Sequence, residues 1–548
     1  MRLQHRLLIL GAVFFTQPLD AQPAPNAAAT LGRDVAISRD VSANANQAAL
    51  PLIANNPDII AVETDESGIF IGSINVIGGK QIQNDVYAPA VEKFVGRRIA
   101  AADLPAVARS IADQARAQGY IFASAIVPQQ AVKLGMLTVQ IDEGVIDEVR
   151  ILGSSNRRLK AILSKIRSAA ALKSGVERQL LLAADLRGIE ITETRYVREN
   201  AKGVLIVTVK EDRSRGSLSV DNFGSSSFGP VRARLEVELT GLLDDGDALS
   251  TQAVVTPLQP KELTYVSAQY SLPINNAGTR VELSASAGRT EPGYADIAGL
   301  VKGRSRSIAL SVSHPIIRSN ATSFWLSGEI SYLNVEQSLL GILAQRDDIV
   351  TFTVTASGNV GFAGGRLSSG IGIVQGLGIL GANAVNDPLS SRLDAHGRFT
   401  KVQLWMNWNR ELGNGFSLRS AANGQLASSP LLAAQEIGLG GSGFGRGYDF
   451  SERFGDSGIL GLIEVRKQFA NPLPGINWAR AHAFVDGGYV YNLQSGFGDG
   501  ALASAGAGVK AGVGKAEFGI EAAFPLTDQR LETGSKSPRL NVSLGYSF

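Results

Sequence analysis

The stretch VRARLEVELTGL, residues 231–242, alternates apolar and polar side chains along its length. Its apolar positions are Val231, Ala233, Leu235, Val237 and Leu239, and the positions between them carry arginine or glutamate. Successive side chains of a β-strand point to opposite faces of the sheet, whereas a helix repeats every 3.6 residues. This stretch therefore predicts a strand with one apolar and one polar face.

The same alternation recurs in RVELSASAG, residues 280–288, and in LNVSLGYSF, residues 540–548. About sixteen such segments follow one another after residue 215. The sequence there predicts no helices and no second layer of strands that could cover their apolar side. We therefore expect lipid to cover it. Strands can cross hydrocarbon only in a closed sheet, because an open edge would leave backbone groups unpaired. The sequence predicts a 16-stranded antiparallel transmembrane β-barrel over residues 215–548; the alternative is a large soluble all-β domain.

The connections between these segments differ systematically in length. Those after even-numbered segments are mostly short, such as residues 244–246, whereas several after odd-numbered segments are long, such as residues 290–303 and 377–396. Outer-membrane barrels have short periplasmic turns and longer external loops. The asymmetry predicts a bacterial outer-membrane location with the N-terminal part in the periplasm. A barrel of this size has room for an aqueous lumen, so a closed state requires something to fill it.

The N-terminal region has the features of an export signal. Arg2 and Arg6 precede an apolar core at residues 7–15, and small residues follow near Ala21. This pattern predicts a signal peptide at residues 1–21, because the core is too short for the alternative, a membrane anchor. Residues 22–68, rich in Ala, Asn, Asp and Ser, are interpreted as a linker with a possible short helix.

Residues 69–146 and 147–214 each show the order strand, helix, helix, strand, strand. In the first unit, residues 82–96 and 101–120 are the predicted helices, and Gly119 is the expected stop of the second. One face of that second helix carries Leu104, Val107, Ala108, Ile111 and Ala115. The repetition predicts two small tandem α+β modules. Each would have an open sheet edge that could accept a strand from a partner; the alternative is an idle, blunted edge.

Composition argues against several functional classes. The formal net charge is +2 and 19% of residues are charged, which gives no basic footprint for nucleic acid. Cysteine is absent, so thiolate metal sites and cysteine nucleophiles are excluded. The four histidines are scattered, and the GLGGSG run at residues 438–443 lacks the βαβ context of a nucleotide site. We therefore expect no enzymatic activity, cofactor or metal. The tryptophans near segment ends are interpreted as membrane-interface anchors: Trp325, Trp405, Trp408 and Trp478.

Four motifs together resemble one protein family. They are GYIFASAIVPQQAVKLGMLTVQIDEG at residues 119–144, SHPIIRS at 313–319, GRGY at 445–448 and FVDGG at 484–488. The chain resembles the outer-membrane transporters of two-partner secretion, the TpsB type represented by FhaC and ShlB, over residues 69–548. The resemblance implies that the two α+β units are POTRA modules. Phe548 closes an alternating last segment, which resembles the tag that the barrel-assembly machinery recognises.

The resemblance also singles out two groups of residues. Gly445, Arg446, Gly447 and Tyr448 match the signature of the sixth external loop, and Phe484, Asp486 and Gly488 match that of the thirteenth strand. Alternation along AHAFVDGGYV, residues 481–490, places His482 and the strand signature on the lumen face.

We expect the loop to fold into the barrel and Arg446 to pair bidentately with Asp486, as a latch that sets the competent conformation. Gly488 would leave room beneath the loop. The alternative is that Arg446 is a solvated loop cation and Asp486 an unrelated lumen charge.

These observations favour an outer-membrane translocase that captures an unfolded exported partner in the periplasm and secretes it through the barrel. The resemblance implies that the partner is a large β-helical adhesin or cytolysin. We also expect the translocase to act as a monomer. Two other functions remain open: an assembly factor that inserts other barrels, and a passive porin. A porin has no evident use for two folded periplasmic modules.

Overall fold

The computed structural model describes residues 53–54, 68–168, 173–200, 202–225, 228–293, 299–494 and 497–548. The predicted signal peptide lies outside the described residues, as does nearly all of the linker with its possible helix. None of the described helices is both long enough and apolar enough to cross a bilayer. The described part consists of two small α+β units followed by a closed barrel.

The first unit contains a three-stranded sheet, a separate strand pair and two helices. In the sheet the central strand (Met136–Asp142) pairs in parallel with one neighbour (Ser73–Ile77) and antiparallel with the other (Ser124–Ile126). After a two-residue strand, β1 (Ile53–Ala54), the elements are β2 (Ile69–Ile71), β3 (Ser73–Ile77), α1 (Ala88–Val91), β4 (Arg97–Ile99), α2 (Leu104–Ala117), β5 (Ser124–Ile126) and β6 (Met136–Asp142).

Helix α2 agrees with the sequence-based expectation, whereas α1 is much shorter than expected. All five residues predicted for the apolar face of α2 are buried against the sheet. The helix predicted over residues 82–96 is reduced to α1 and one preceding 3₁₀ turn. Pro89 lies near the start of α1 and lacks a backbone N–H, so no regular helix can run through it from residue 82.

The second unit has one four-stranded sheet packed against two helices. Its elements are β7 (Glu148–Leu152), α3 (Arg157–Leu163), α4 (Lys173–Ala184), β8 (Ile189–Glu199) and β9 (Lys202–Glu211). The strand order is β1-β8-β9-β7, so the short β1 covers the β8 edge in parallel orientation. Helix α3 begins at an Asn156 cap, whose Oδ1 accepts a hydrogen bond of 2.8 Å from the Leu159 N–H.

The barrel has sixteen antiparallel strands, as predicted. The closing pair joins the first and last of them over the five residue pairs from Ser217↔Ser547 to Asp221↔Ser543. A short hairpin of two strands, β21 (Ile437–Leu439) and β22 (Arg453–Gly455), is inserted after the eleventh strand. The strands are β10 (Ser214–Asp221), β11 (Arg232–Thr240), β12 (Ala248–Val255), β13 (Leu263–Pro273), β14 (Arg280–Thr290), β15 (Val301–Arg318), β16 (Thr322–Leu339), β17 (Ile342–Phe362), β18 (Gly365–Leu377), β19 (Thr400–Gly413), β20 (Phe416–Ala427), β21 (Ile437–Leu439), β22 (Arg453–Gly455), β23 (Ser457–Leu473), β24 (Ile476–Tyr491), β25 (Gly500–Val513), β26 (Ala516–Pro525) and β27 (Arg539–Ser547).

Side-chain alternation determines which residues face the barrel exterior. On β11, Leu235 points outward and is 42% exposed, whereas its neighbour Glu236 points inward and accepts a hydrogen bond of 2.6 Å from Gln252. The outer surface is apolar on strand after strand, and the lumen carries the polar side chains. This is the arrangement required of a barrel in hydrocarbon.

The prediction that all four tryptophans are interface anchors is wrong for three of them. Trp408 lies on the outer face of β19, and its Nε1 donates to the Phe362 carbonyl at 2.9 Å. Trp325, Trp405 and Trp478 lie at inward-facing register positions. Alternation along the strand determines whether a residue faces the lumen or the lipid. A position near a strand end indicates only how close the residue lies to the membrane interface, not which way it faces.

The second α+β unit contacts the periplasmic turn that contains the SHPIIRS motif. Arg318, whose side chain is only 2% exposed, donates to both carboxylate oxygens of Asp185 at 2.8 and 2.9 Å. Asp185 directly follows α4. Glu177 of α4 accepts the Asn320 N–H at 2.7 Å, and Arg178 donates to the Pro315 carbonyl at 3.1 Å. Arg158 of α3 also forms an ion pair with Asp244, on the periplasmic turn after β11. The unit is therefore fastened to the barrel through both of its helices.

Candidate functional site: the sixth external loop inside the barrel

The sixth external loop, residues 428–456, folds back into the barrel. Its centre is the β21–β22 hairpin, whose ladder runs from Ile437↔Gly455 to Leu439↔Arg453. Leu439 and Tyr448 are fully buried, and they pack in one cluster with Leu460, Val490 and Leu502 of the barrel wall. The hairpin tip, residues 440–450, therefore lies against the inner surface of β23–β26.

Two glycines of the tip meet different steric requirements. Gly445 has a φ of +82°, in the left-handed region that favours glycine, and the Tyr448 N–H closes a turn onto its carbonyl at 2.9 Å. Gly447 lies against the wall: a Cβ there would be 2.9 Å from the Pro525 nitrogen and 3.0 Å from the Ser504 Cβ. The Gly447 N–H donates to Ser504 Oγ at 3.1 Å. Without these glycines, the tip could not approach the wall so closely.

The guanidinium of Arg446 contacts three carboxylates on three strands. Its Nη2 donates to Glu464 on β23 at 2.8 Å, and its Nη1 donates to Glu521 on β26 at 2.9 Å. Its Nε lies 3.5 Å from Asp486 on β24. Its Cζ is 4.1 Å from the ring centroid of Phe484, which places the cation over the aromatic face. Arg446 of the loop thus contacts β24, the wall strand that the sequence predicts, and its side chain is only 10% exposed.

The predicted bidentate pairing of Arg446 with Asp486 is wrong. Both oxygens of Asp486 instead accept the backbone N–H of Arg446, at 3.3 Å each, and one also accepts the Ser504 hydroxyl. The barrel register explains the difference. Asp486 lies one row of residues nearer the external end than Phe484, which is paired with Glu464. The long Arg446 side chain extends past Phe484 toward the periplasmic end. Its guanidinium therefore reaches the two glutamates, whereas Asp486 accepts the Arg446 backbone N–H.

The two glutamates are the site residues that the sequence-based reasoning missed. Each of their carboxylate oxygens has a partner: Glu464 also accepts Arg466 Nε at 2.5 Å, and Glu521 also contacts His482 Nε2 at 2.9 Å and Asn541 Nδ2 at 3.1 Å. In LIEVRK, residues 462–467, the alternation that places Leu462 inward also places Glu464 inward. An inward acid at this position could therefore have been found, although its partner could not.

Gly488 and Tyr448, two of the predicted site residues, contribute to the site in other ways than by contacting the Arg446 side chain. A Cβ at Gly488 would lie 2.4 Å from the Ile459 carbonyl and 2.7 Å from Leu460 Cδ2. Gly488 thus makes room for Leu460, and the loop tip lies on Leu460 rather than on Gly488 itself. Tyr448 OH is 2.9 Å from Thr527 Oγ1 and accepts the Thr527 N–H at 3.1 Å.

Arg539 connects the loop tip to the closing seam of the barrel. Its Nη1 donates to the Tyr448 carbonyl at 2.7 Å and to Asp449 at 2.9 Å. Its Nη2 donates to the Gly224 carbonyl, just after β10, at 2.6 Å. One side chain of the last strand therefore joins the first external loop to the sixth.

A second set of contacts lies above the tip, at the external mouth. Arg392 lies in the loop between β18 and β19. Its Nη1 donates to Glu436 at 2.7 Å and to Asp456 at 2.9 Å, and its Nη2 lies 3.0 Å from Asp394. Burial raises the pKa of the Asp456 carboxyl, and hydrogen bonds from Leu493 N and Leu431 N and the charge of Arg392 act in the opposite direction. Beside this ion cluster, loop side chains pack onto the lumen face of the wall. We call these loop residues the external cap: Ala395, Phe399, Leu431, Leu432 and Ala434.

Comparison with known proteins assigns the family. Residues 202–511 match the model of the family described as haemolysin secretion/activation protein ShlB/FhaC/HecB. The chain belongs to this family. Residues 69–144 match the model of the ShlB-type POTRA domain. As a member of the ShlB/FhaC/HecB family, the chain is an outer-membrane transporter of the two-partner secretion type, with its N-terminal modules on the periplasmic side.

Individual relatives are distant but cover most of the chain. The heme/hemopexin transporter protein HuxB of Haemophilus influenzae strain 86-028NP is 23% identical, covering 72% of this chain and 70% of its own. The outer membrane transporter CdiB of Escherichia coli is 22% identical, with 83% and 79% covered. The solved structure of CdiB from Escherichia coli superposes with a TM-score of 0.71 at 20% identity, covering 96% of this chain and all of that one.

A structure of BamA from Haemophilus ducreyi that lacks POTRA domains 1–3 also shares the fold. Its TM-score is 0.54 at 14% identity, and the match covers 87% of this chain and all of that one. This likeness concerns the fold alone.

Proposed function

We propose that the protein takes up one unfolded exported protein in the periplasm through its two POTRA modules and releases it outside through the barrel. The observation that supports this best is the state of the lumen. It contains a loop of the same chain, held by side-chain contacts that can separate without unfolding the wall. A passive pore needs neither this obstruction nor folded modules at its periplasmic mouth.

The first module offers features suited to capture. Its sheet ends at β3 and β5, and neither strand has a second partner strand among the described residues. Three exposed apolar side chains lie nearby: Phe70 is 50% exposed, Met136 54% and Leu134 fully exposed. The Gly135 carbonyl between the last two accepts the N–H groups of Gly72 and Ser73, which holds this loop beside Phe70. An extended, partly apolar client segment could add to the edge and cover these side chains.

The finer features of this proposal rest on the family resemblance and on the pattern of the sequence. We propose a large β-helical client, a monomeric transporter, and modules at residues 69–146 and 147–214 followed by the barrel at residues 215–548. No chemical step is involved. The folding of the client outside would give the transport its direction. We further propose the loop residues Gly445–Tyr448 and the wall residues Phe484, Asp486 and Gly488 as parts of the latch, extended by Glu464 and Glu521.

A comparison of the proteins released by cells with and without this protein tests the function. We expect loss of one large polypeptide from the medium while other outer-membrane barrels stay at their normal abundance, and restoration when the wild-type chain is supplied. Broad loss of other barrels would instead identify an assembly factor. If neither released proteins nor barrels change, the transport proposal is wrong.

A further inference from the structure

The lipid-facing surface of four neighbouring strands, β14–β17, changes from apolar to charged at one height. On β15 the outward residues Val312, Leu310 and Ile308 are 43%, 46% and 51% exposed. The next outward residues toward the external end are Arg306, Arg304 and Lys302, all exposed. Because β14 leaves a periplasmic turn and ends at an external loop, this change marks the external boundary of the apolar band.

The barrel register aligns these charges across the strands. Arg289 on β14 lies directly opposite Arg304 on β15, Arg304 lies opposite Glu336 on β16, and Glu336 lies opposite Arg346 on β17. Directly opposite residues have Cβ atoms roughly 5 Å apart. We call the basic residues of this surface the outer basic cluster: Arg289, Lys302, Arg304, Arg306 and Arg346.

A tyrosine marks the membrane interface directly below the cluster. Tyr332 on β16 lies opposite Ile308 on one side and Val350 on the other, and its hydroxyl donates to Asp348 Oδ1 at 2.7 Å. Tyrosines of membrane proteins lie at the headgroup level with the ring toward hydrocarbon. The outer basic cluster therefore lies at the height of the lipid headgroups or just above it.

The charges of the cluster are only partly compensated within the chain. Lys302 lies 3.4 Å from Glu291, and Arg346 lies 3.1 Å from Asp348. The described residues provide no ion-pair partner for Arg289 or Arg306, both of which are exposed. Arg304 has Glu336 opposite it on β16, but on its other side it lies opposite Arg289, and like charges placed directly opposite on adjacent strands are destabilising. An anion bound between them would remove this repulsion.

The external boundary of the apolar band at β24, on the far side of the barrel, has a different composition. At the external end of β24, the outward residues are Tyr489 and Tyr491, whose rings stack at a centroid distance of 6.0 Å. That side carries an ordinary aromatic boundary. The arginines therefore are not a general requirement of the membrane interface, and they point to a ligand of their own.

We propose that the outer basic cluster binds the phosphate groups of lipid A, the phosphorylated glucosamine headgroup of lipopolysaccharide in the outer leaflet. Arginine suits this ligand because its planar fork can hold a phosphate through two N–H donors. The apolar band below, formed by residues such as Ile308 and Leu310, would contact the acyl chains. The site is specific for a lipid because phosphate and hydrocarbon contacts are stacked on the same four strands.

The test measures binding of diphosphoryl lipid A to the purified full-length protein in a zwitterionic detergent by native mass spectrometry. The variant combines Arg289→Gln, Arg304→Gln and Arg306→Gln. The matched control is Arg410→Gln, which removes an outward-facing, exposed arginine at the periplasmic end of β19. Each basic residue near an anionic lipid surface contributes roughly fivefold in affinity, so we expect about 100-fold weaker binding in the triple variant. The control should bind like the wild type.

Two further arms separate the lipid from other anions. Removing one phosphate, by using monophosphoryl lipid A, should weaken binding to the wild type but change the triple variant little. Inorganic phosphate at the same concentration should not displace the lipid. The proposal is overturned if the triple variant retains wild-type affinity while its barrel is folded, as judged by its heat-modifiable mobility in gels. Equal binding of both lipids, or displacement by inorganic phosphate, would also overturn it.

Discussion

Arg446 joins carboxylates from three strands, so no single wall residue carries the whole interaction. Glu464 and Glu521 receive the two ends of the guanidinium, and Asp486 receives the loop backbone. Removing one partner of a buried ion pair costs about 3–5 kcal/mol, because the remaining charge is left without compensation. Loss of Arg446 affects all three acids at once, whereas loss of one acid leaves the others in place.

Arg446→Lys should therefore reduce secretion at least about 10-fold while the barrel remains in the outer membrane, because one ammonium cannot bridge both glutamates as the fork does. Asp486→Asn should have a smaller effect, since its side-chain oxygen still accepts the Arg446 N–H. The measurement is the amount of the client polypeptide in the culture medium relative to that in the cells.

The matched control for this series is Arg453→Lys, in the same loop. Arg453 pairs with Asp528 at 3.0 Å in a partly exposed position, where ion pairs contribute little. Secretion by the control should stay near the wild-type level. Normal secretion by Arg446→Lys would show that the three-carboxylate contact is not needed for transport.

At this scale, the sequence predicts that Arg446 and the wall strand meet, but not which atoms pair. The strand alternation fixes that Asp486 and Phe484 face the lumen. The row at which the guanidinium arrives depends on the path of a glycine-rich loop, which has no periodicity from which to infer it. The different roles of Asp486 and the glutamates could therefore be seen only in the structure.

Among the elements, the strands were the most predictable and the loops the least. A period of two over nine or more residues, as in β11 and β14, is incompatible with a helical repeat, so it specifies a strand with two distinct faces. The predicted helix over residues 82–96 was wrong because Pro89 outweighs the favourable residues around it. The inward folding of the external cap has no sequence signature, since its contacts join loops distant in sequence.

The contact between the second POTRA module and the barrel gives a prediction at the level of elements. Asp185→Asn removes the charge that faces the buried Arg318 and should loosen the module from the SHPIIRS turn. We expect a broader distribution of distances between spin labels on α3 and on the turn after β13, measured in the purified protein. The absence of native cysteines makes such labelling selective.

The control for this experiment is Asp212→Asn. Asp212 pairs with Lys210 at 2.8 Å, but both side chains are more than half exposed, so the pair should contribute little. Its distance distribution should match that of the wild type. An unchanged distribution in Asp185→Asn would show that the remaining contacts of α3 and α4 hold the module without this ion pair.

For the whole molecule, the arrangement places two obstructions one above the other in the same lumen. The external cap and the Arg392 contacts lie at the external mouth, and the loop tip held by Arg446 lies below them. Resistances in series add, so opening either obstruction alone leaves the other in the conduction path.

We therefore expect Arg392→Ala and Arg446→Ala each to raise the ionic conductance of the barrel in planar bilayers only modestly, and the double variant to raise it by more than the sum. The same set measured in a chain without residues 22–52, which lie outside the described part, would reveal any third obstruction. If Arg446→Ala alone conducts as well as the double variant, the mouth contacts do not limit the current.

The closing seam between β10 and β27 has a consequence for the order of assembly. Neighbouring strands elsewhere can pair as local hairpins, but Asn222 and Val542, which bond across the seam, are 320 positions apart. Bringing such distant ends together costs about 5 kcal/mol in chain entropy, more than any hairpin closure in the barrel. The seam should therefore form last. Until then the growing sheet has two unpaired edges, which some other β-structure must cover to prevent aggregation.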